Sequence, residues 1–214
     1  MPRIAYKNAA GQRLSGVTTV IGGNLGWSKN GLMYWAWEQG RDGKDFRDTK
    51  QAAADAGTIA HTLIEADIKG ITLDLTPYPA DLLAKAQKCY ENFHHWKSTV
   101  GFKPLKSELT LVSEFNQYGG TIDCIAEIQG KPCLFDWKSS NGVHEEYLIQ
   151  LSAYQKVYEE NFPAEKLSGA YLLRISKEDA AWTFHYWENL DFAWLDFIRL
   201  LGLHNSKKLY KGKV

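Results

Sequence analysis

The hydrophobic pattern of this chain changes its period after Gly101, and few folds accommodate such a change. Before that residue, apolar side chains recur at helical spacing over 48–68 and 79–99, which predicts two long helices. After it, apolar and polar residues alternate over 105–115, 121–128 and 132–139, which is typical of half-buried strands. Turn-forming residues separate the three segments. The pattern therefore predicts two helices followed by an antiparallel meander of three strands.

The segments that follow complete a mixed α/β arrangement. Helices are predicted over 145–162 and 190–203, and two further strands over 170–175 and 181–186. A basic tail ends the chain. We expect a central mixed sheet flanked by helices, within a single domain that spans residues 1–214.

Residues 1–47 are predicted to be an N-terminal extension that packs on this core. Extended segments at 3–7 and 13–21 flank a turn and indicate a hairpin. Glycines at 22, 23 and 26 then interrupt the chain, and a short helix rich in Trp and Tyr is predicted over 32–39. Asp48 is the predicted N-cap of the next helix.

Composition excludes several classes of protein. The 214 residues include 25 basic and 25 acidic side chains, so the chain has no bulk charge with which to coat nucleic acid. We expect neither a membrane span nor a secretory signal, because no apolar run is long enough. Cys89, Cys124 and Cys133 lack CxxC spacing, which favours a reducing compartment over a disulfide framework or a zinc ribbon.

Asp123, Asp136 and Lys138 form the strongest candidate site. Residues two apart on a strand share a face, so Asp136 and Lys138 are expected to point together. A hairpin that turns at Gln129 and Gly130 pairs residue 128 with residue 131 and therefore places Asp123 opposite Asp136. A buried ion pair with Lys138 would account for only one carboxylate. A divalent cation with hard oxygen ligands, Mg²⁺ or Mn²⁺, accounts for the second one.

Two further pairs are four residues apart on predicted helices. His61 and Glu65 share a face of the second helix segment, and Gln150 and Tyr154 share a face of the helix after the strands. Either pair alone is weak evidence, because such side chains commonly make only packing or surface contacts. His61 and Glu65 lack the second histidine of a HExxH zinc site.

Taken together, these residues resemble the PD-(D/E)XK nuclease superfamily, in particular its RecB-like exonuclease branch. The resemblance covers nearly half of the chain and implies a restriction-endonuclease-like αβββαβ core. The family's motifs GxxxHxxxE, GxxD, DxK and QxxxY occur here in the family's order, at Gly57-His61-Glu65, Gly120-Asp123, Asp136-Lys138 and Gln150-Tyr154.

The resemblance implies metal-dependent hydrolysis of phosphodiester bonds in DNA. Metal ligands would be His61, Asp123, Asp136 and the backbone carbonyl of Trp137. Lys138 would position or help to deprotonate the attacking water.

The resemblance also implies supporting roles for other residues. Gln150 and Tyr154 would contact the DNA backbone or brace Lys138. Glu65 would orient His61 or contact the metal through water, and Glu108 would lie near the site. Lys29 and Trp35, in the aromatic N-terminal segment, are candidates for DNA contact, although packing is the simpler role for this segment.

The chain lacks the four cysteines that hold an iron–sulfur cluster in several members of the branch, so we expect no such cluster. Expected partners are DNA with single-stranded or processed ends and, as a candidate, a recombination or single-strand-binding protein. A bacterial or phage-infected cytoplasm is the expected location, in recombination, repair or replication.

Three other functions stay open from the sequence. The chain can be an inactive nuclease-fold module that binds DNA or protein, although competent residues occupy every motif position. It can be an endonuclease of the same fold, although no appended reader domain is evident. It can be an unrelated metalloenzyme that uses His61 and Glu65 alone, which leaves the strand residues without a role.

Overall fold

The computed structural model describes residues 4–26 and 29–210 of the chain. Residue 3 of the predicted hairpin, Trp27 at the start of the aromatic N-terminal segment and the last four residues of the basic tail lie outside the described residues. In chain order the described elements are β1 (Ser15–Gly16), α1 (Val17–Asn24), α2 (Lys29–Arg41), α3 (Phe46–Lys69), α4 (Ala80–Val100), β2 (Lys103–Ser113), β3 (Tyr118–Ile128), β4 (Lys131–Lys138), α5 (Glu146–Asn161), β5 (Ala170–Ile175), β6 (Trp182–Trp187) and α6 (Asp191–Tyr210).

The strands form one mixed sheet. Its order is β1-β3-β4-β5-β6, and β2 pairs with β3. The predicted meander is confirmed, because β2 and β4 both run antiparallel to β3. The chain then crosses over through α5, so that β5 runs parallel to β4, and β6 returns antiparallel to β5. Helices cover both faces, as the alternation of helix and strand segments predicts.

Each face of the sheet carries its own hydrophobic core. The first core lies between the sheet and α1, α5 and α6, and the second lies between the sheet and α3 and α4. Phe93 and Trp96 of α4 are fully buried in the second core, where they pack against Phe135 and Trp137 of β4. Truncating an aromatic residue so placed costs about 3–5 kcal/mol, so this cluster anchors α4 firmly to the strand that carries the candidate site.

The predicted strand over 13–21 is wrong. The antiparallel bridge between Lys7 and Arg13 preserves a short hairpin, but only Ser15–Gly16 is a strand and a helix begins at Val17. The β-branched residues of this segment favour a strand in isolation. Val17, Val20 and Ile21, however, recur at helical spacing, and the helix buries all three in the first core. Part of the predicted extension therefore belongs to the core.

Other predicted elements exist but differ at their ends. The N-cap of α3 is Asp45 rather than Asp48, since the Asp45 side chain accepts a hydrogen bond from the backbone N–H of Arg47. The helix α2 is longer than predicted, and α6 continues into the basic tail as far as Tyr210. No helix in the described part of the chain is long and apolar enough to cross a membrane.

Candidate active site

The candidate site lies where the pairing between β3 and β4 stops. The two strands pair from Ile128–Lys131 to Cys124–Phe135, which is the predicted register and brings Asp123 next to Asp136. Both strands continue beyond this point, β3 beside β2 and β4 beside β5. In place of a further backbone pair, the N–H of Trp137 donates to Asp123 Oδ2 over 2.8 Å. The Asp123 carboxylate is thereby held at the fork between the two strands.

Asp136 and Lys138 form the buried charged pair of β4. Asp136 is 1% exposed, and its Oδ2 lies 2.5 Å from the ammonium nitrogen of Lys138. The Lys138 ammonium also lies 5.0 Å from the centre of the Tyr147 ring on α5. The alternation along β4 sends the Phe135 and Trp137 side chains into the second core instead. The strand therefore offers charge toward α5 and an apolar anchor toward α4.

A second group of ligand atoms surrounds Asp123. His61, Glu108 and Asp123 each offer one ligand atom, and these atoms lie within 4.8 Å of one another. The helix α3 supplies His61, whose Nδ1 lies 3.6 Å from Asp123 Oδ1. Glu108 is opposite Asp123, because the neighbouring pairs are Ser107–Cys124 and Leu109–Ile122. Glu108, predicted only as a supporting residue, is thus part of the group.

Glu108 has a backbone conformation that is uncommon for its residue type. Its φ angle is +49°, in the left-handed region that non-glycine residues seldom occupy. Such conformations cost free energy and concentrate at functional sites, where the surroundings hold them in place. Here the unusual backbone lies in the middle of β2, beside Asp123. No sequence signal predicts it, because glutamate has no preference for this region.

The carboxylates of the group have opposite shifts in pKa. Burial, assisted by the nearby negative charge of Asp123, raises the pKa of Glu108 to about 7. Burial also acts to raise the pKa of Asp123, but His61, Lys138 and the Trp137 N–H outweigh it and the pKa is lowered. Asp123 is therefore an anion at neutral pH, whereas Glu108 is near half protonation without a cation beside it.

The other titratable groups respond to the same charges. Burial disfavours the charged form of His61, yet attraction to Asp123 is stronger, so the pKa of His61 is raised. Burial and repulsion from Asp123 raise the pKa of Asp136 to about 6, against the attraction of Lys138. Burial opposes the ammonium form of Lys138, but Asp136 and Asp123 favour it more, so the pKa of Lys138 is raised.

These residues fit a divalent cation. Two carboxylates and an imidazole converge. Burial and then the negative charge of Asp123 raise the pKa of Glu108, and a cation would offset that negative charge. Asp136 Oδ2 is buried and has no well-aligned hydrogen-bond donor among the described residues, only the close ammonium of Lys138. Oxygen ligands with one imidazole suit Mg²⁺ or Mn²⁺. His61, Glu108 and Asp123 would hold the ion, with Asp136 at its border.

Two motif glycines are required by close packing beside the site. A Cβ atom at Gly57 of α3 would lie 2.8 Å from Ser139 Oγ, just after β4. A Cβ atom at Gly120 of β3 would lie 2.6 Å from the ring of Tyr154 on α5. Both distances are shorter than real side-chain contacts. The glycines therefore let α3 and α5 approach the fork closely enough to deliver their polar residues.

Gln150 and Tyr154 form a buried pair on α5. Gln150 Nε2 donates to the Tyr154 hydroxyl over 2.8 Å, and the two residues are 9% and 5% exposed. Burial first, and then repulsion from Asp136, raise the pKa of Tyr154, so its hydroxyl keeps its proton. The residue over Lys138 is Tyr147, which the sequence reasoning missed. Tyr147 precedes Tyr154 by two helical turns, so their shared face is the signal that indicates it.

The remaining candidates lie around the site rather than within it. Glu65 is paired with Lys69 at 2.5 Å, and this contact differs from the predicted role of orienting His61. Lys29 and Trp35 of α2 line a cleft of about 1080 Å³ that also reaches Gln150 and Tyr147. Lys29 donates to the carbonyl of Gly22, and Trp35 packs edge-on against Phe46. The predicted DNA contacts of Lys29 and Trp35 stay predictions.

Comparison with solved structures identifies the fold. An exonuclease candidate from Eubacterium rectale matches with a TM-score of 0.50 and 12% identity, over 74% of this chain and 69% of that one. The chain thus shares the overall fold of this exonuclease candidate.

More distant matches include two structures of LHK-Exo, the alkaline exonuclease from Laribacter hongkongensis. One of them, in complex with dAMP, has a TM-score of 0.44 and 10% identity, over 73% of this chain and 84% of that one. The other has a TM-score of 0.39 and 11% identity, over 75% and 90%. No family model and no curated protein sequence matches the chain.

Proposed function

We propose that this protein is a metal-dependent DNA exonuclease. The observation that carries the proposal is the fork between β3 and β4, where a group of metal-ligating side chains adjoins a buried carboxylate–lysine pair. The order of the motifs and the fold shared with an exonuclease candidate support it. If the site were only the structural ion pair of Lys138 and Asp136, the neighbouring carboxyl groups of Glu108 and Asp123 would lack enough positive charge to balance them.

The residues of the site have separate roles in the proposed hydrolysis. His61, Glu108 and Asp123 would hold a divalent cation, which when bound would supply Lewis acidity and activate water. Lys138 keeps its proton because its pKa is raised, so it acts as a donor that orients the attacking water or stabilises charge on the phosphate. Asp136 holds the ammonium in place at 2.5 Å.

The same proposal covers the substrate and the setting. Single-stranded or processed DNA ends suit a chain with zero net charge, because an enzyme acting at ends needs only a local basic lining. Mg²⁺ or Mn²⁺ is the proposed cofactor, with the imidazole favouring Mn²⁺. Three buried, unpaired thiols suit a reducing cytoplasm, in bacterial or phage recombination, repair or replication.

Cleavage of linear and circular single-stranded DNA tests this proposal. We expect the wild type with Mg²⁺ or Mn²⁺ to degrade the linear form only. Lys138→Ala should lose about 100-fold or more in rate, as expected when a group that stabilises transition-state charge is removed. Lys131→Ala, at the opposite end of the same strand, is the matched control and should retain activity.

Other outcomes assign other functions. Cleavage of circles as well would indicate an endonuclease of the same fold. Tight DNA binding that needs no metal, without cleavage of linear, circular or duplex substrates, would contradict an enzyme and indicate a binding module.

A further inference from the structure

The large cleft beside the candidate site has two chemically different walls. Its volume of about 1080 Å³ is at the upper limit of ordinary small-molecule pockets, so it can hold more than one nucleotide. Gln150 and Tyr147 line one part of it, and Tyr147 contacts Lys138. A strand that leaves the active site along α5 would therefore enter this cleft.

One wall carries three lysines from three separate elements. Lys50 comes from α3, Lys85 from α4 and Lys177 from the connection between β5 and β6. In the part of the chain that the structure describes, none of the three is within ion-pair distance of a carboxylate. Lys177 Nζ donates a hydrogen bond over 3.3 Å to the backbone carbonyl of Ala53, which belongs to α3.

Two of these lysines, Lys85 and Lys177, are close enough to repel each other. Burial lowers the pKa of Lys177, and repulsion from Lys85 acts in the same direction. Glu178 also lines this part of the cleft, whereas the other two lining glutamates, Glu145 and Glu146, belong to the start of α5. Positive charge is thus concentrated on the wall away from α5, where a bound anion would relieve the repulsion.

The remaining lining includes aromatic and aliphatic side chains. Trp35 and Leu32 of α2 and Tyr147 of α5 face the cleft. A cationic track beside aromatic side chains is the arrangement that holds single strands, with phosphates on the lysines and base faces against the rings. A duplex keeps its base faces stacked inside and cannot use the second kind of contact.

We propose that Lys50, Lys85 and Lys177 form a distal phosphate subsite that binds the backbone of a single strand, several nucleotides from the bond that is cut. The proposal rests on the proposed nuclease function for its link to cleavage, but the subsite itself is a statement about binding. It gives the enzyme a preference for substrates long enough to reach from the fork to the lysine wall.

Binding of a fluorescent oligothymidylate of about 20 nucleotides tests the subsite. It is measured by anisotropy in the Lys138→Ala background, which prevents degradation. We expect Lys85→Gln/Lys177→Gln to weaken binding about 10-fold and to reduce the slope of log affinity against log salt by about 1.4, since each phosphate contact on a single strand contributes about 0.7. Lys88→Gln is the matched control, because Lys88 also lies on α4 but pairs with Glu91 outside the cleft.

Cleavage then links the subsite to activity. In an otherwise wild-type background, the double variant should raise KM about 10-fold for the long strand and leave cleavage of a tetranucleotide within about twofold. Lys50→Gln, an exposed position that cannot disturb the core, should give about half of the change in salt slope. The subsite would be overturned if the double variant bound the oligonucleotide as tightly as Lys88→Gln does, or if it lost equal activity on long and short substrates. Lysine-dependent binding without any cleavage by the wild type would support the subsite and remove the proposed function.

Discussion

At the scale of single residues, Glu108 explains most about the candidate site. It combines a left-handed backbone with a carboxyl group beside Asp123, and both features cost free energy in the metal-free protein. A position that only had to build a strand would not retain this combination. A bound cation would offset the repulsion between the two carboxylates, which is the physical reason to count Glu108 among the ligands.

The titration of Glu108 makes a prediction for stability. Its folded pKa of about 7 exceeds the ordinary value of 4.5, so between these pH values the folded state holds a proton that the unfolded state has released. The free energy of unfolding therefore falls as the pH rises through this interval. Glu108→Gln has no titrating carboxyl group at this position, so its free energy of unfolding does not fall for this reason as the pH rises. We expect the metal-free variant to melt about 3 °C above the wild type at pH 8 and to show little difference near pH 4.5.

Thermal unfolding in EDTA across this pH range checks the prediction, and added Mn²⁺ serves as its internal control. Mn²⁺ should stabilise the wild type more than the variant, because the variant has lost a ligand. A variant that is less stable than the wild type at pH 8 in EDTA would contradict the raised pKa.

At the scale of elements, the close approach of α3 to the end of β4 delivers His61. Gly57 permits this approach, since a Cβ atom there would lie 2.8 Å from Ser139 Oγ. Alanine normally stabilises a helix interior by about 1 kcal/mol relative to glycine. At this position the steric contact with Ser139 should outweigh that gain.

We therefore expect Gly57→Ala to weaken Mn²⁺ binding, measured by calorimetry, about 10-fold through displacement of His61. Ser139→Gly in the same chain removes the obstructing hydroxymethyl group and should restore affinity. Gly40→Ala in α2 is the control, because a Cβ atom there meets nothing within 4 Å. Unchanged affinity in Gly57→Ala would show that the contact does not position His61.

The elements also show where prediction from sequence succeeds and where it fails. The alternation along β4 and the turn at Gly130 are local signals, and they predict the register that brings Asp123 to Asp136. The segment that begins at Val17 is a helix although its β-branched residues favour a strand. The helix buries its apolar side chains in the first core, against α5 and α6, and this burial outweighs the local preference. Local propensity contains no information about those neighbours.

At the scale of the whole molecule, the order of elements is readable from the sequence but the fork in the sheet is not. β3 pairs with β2 along one edge, while β4 and then β1 occupy the other. The pairing of β1 with β3 joins Ser15 to Tyr118, a long-range contact that no local pattern encodes. The cleft cannot be read from the sequence either, because its lining combines residues of α2, α3, α4 and α5.

The proposed function places a metal-dependent nuclease site at the fork between β3 and β4. The most direct test is the rate of cleavage of an end-labelled linear single strand by the wild type and Asp123→Asn, each with Mn²⁺ and with EDTA. Asparagine keeps the shape of Asp123 but removes the charge that attracts a cation. We predict cleavage by the wild type with Mn²⁺, a loss of about 100-fold or more in Asp123→Asn, and none in EDTA. Equal cleavage by both proteins, or cleavage by the wild type in EDTA, would contradict the claim.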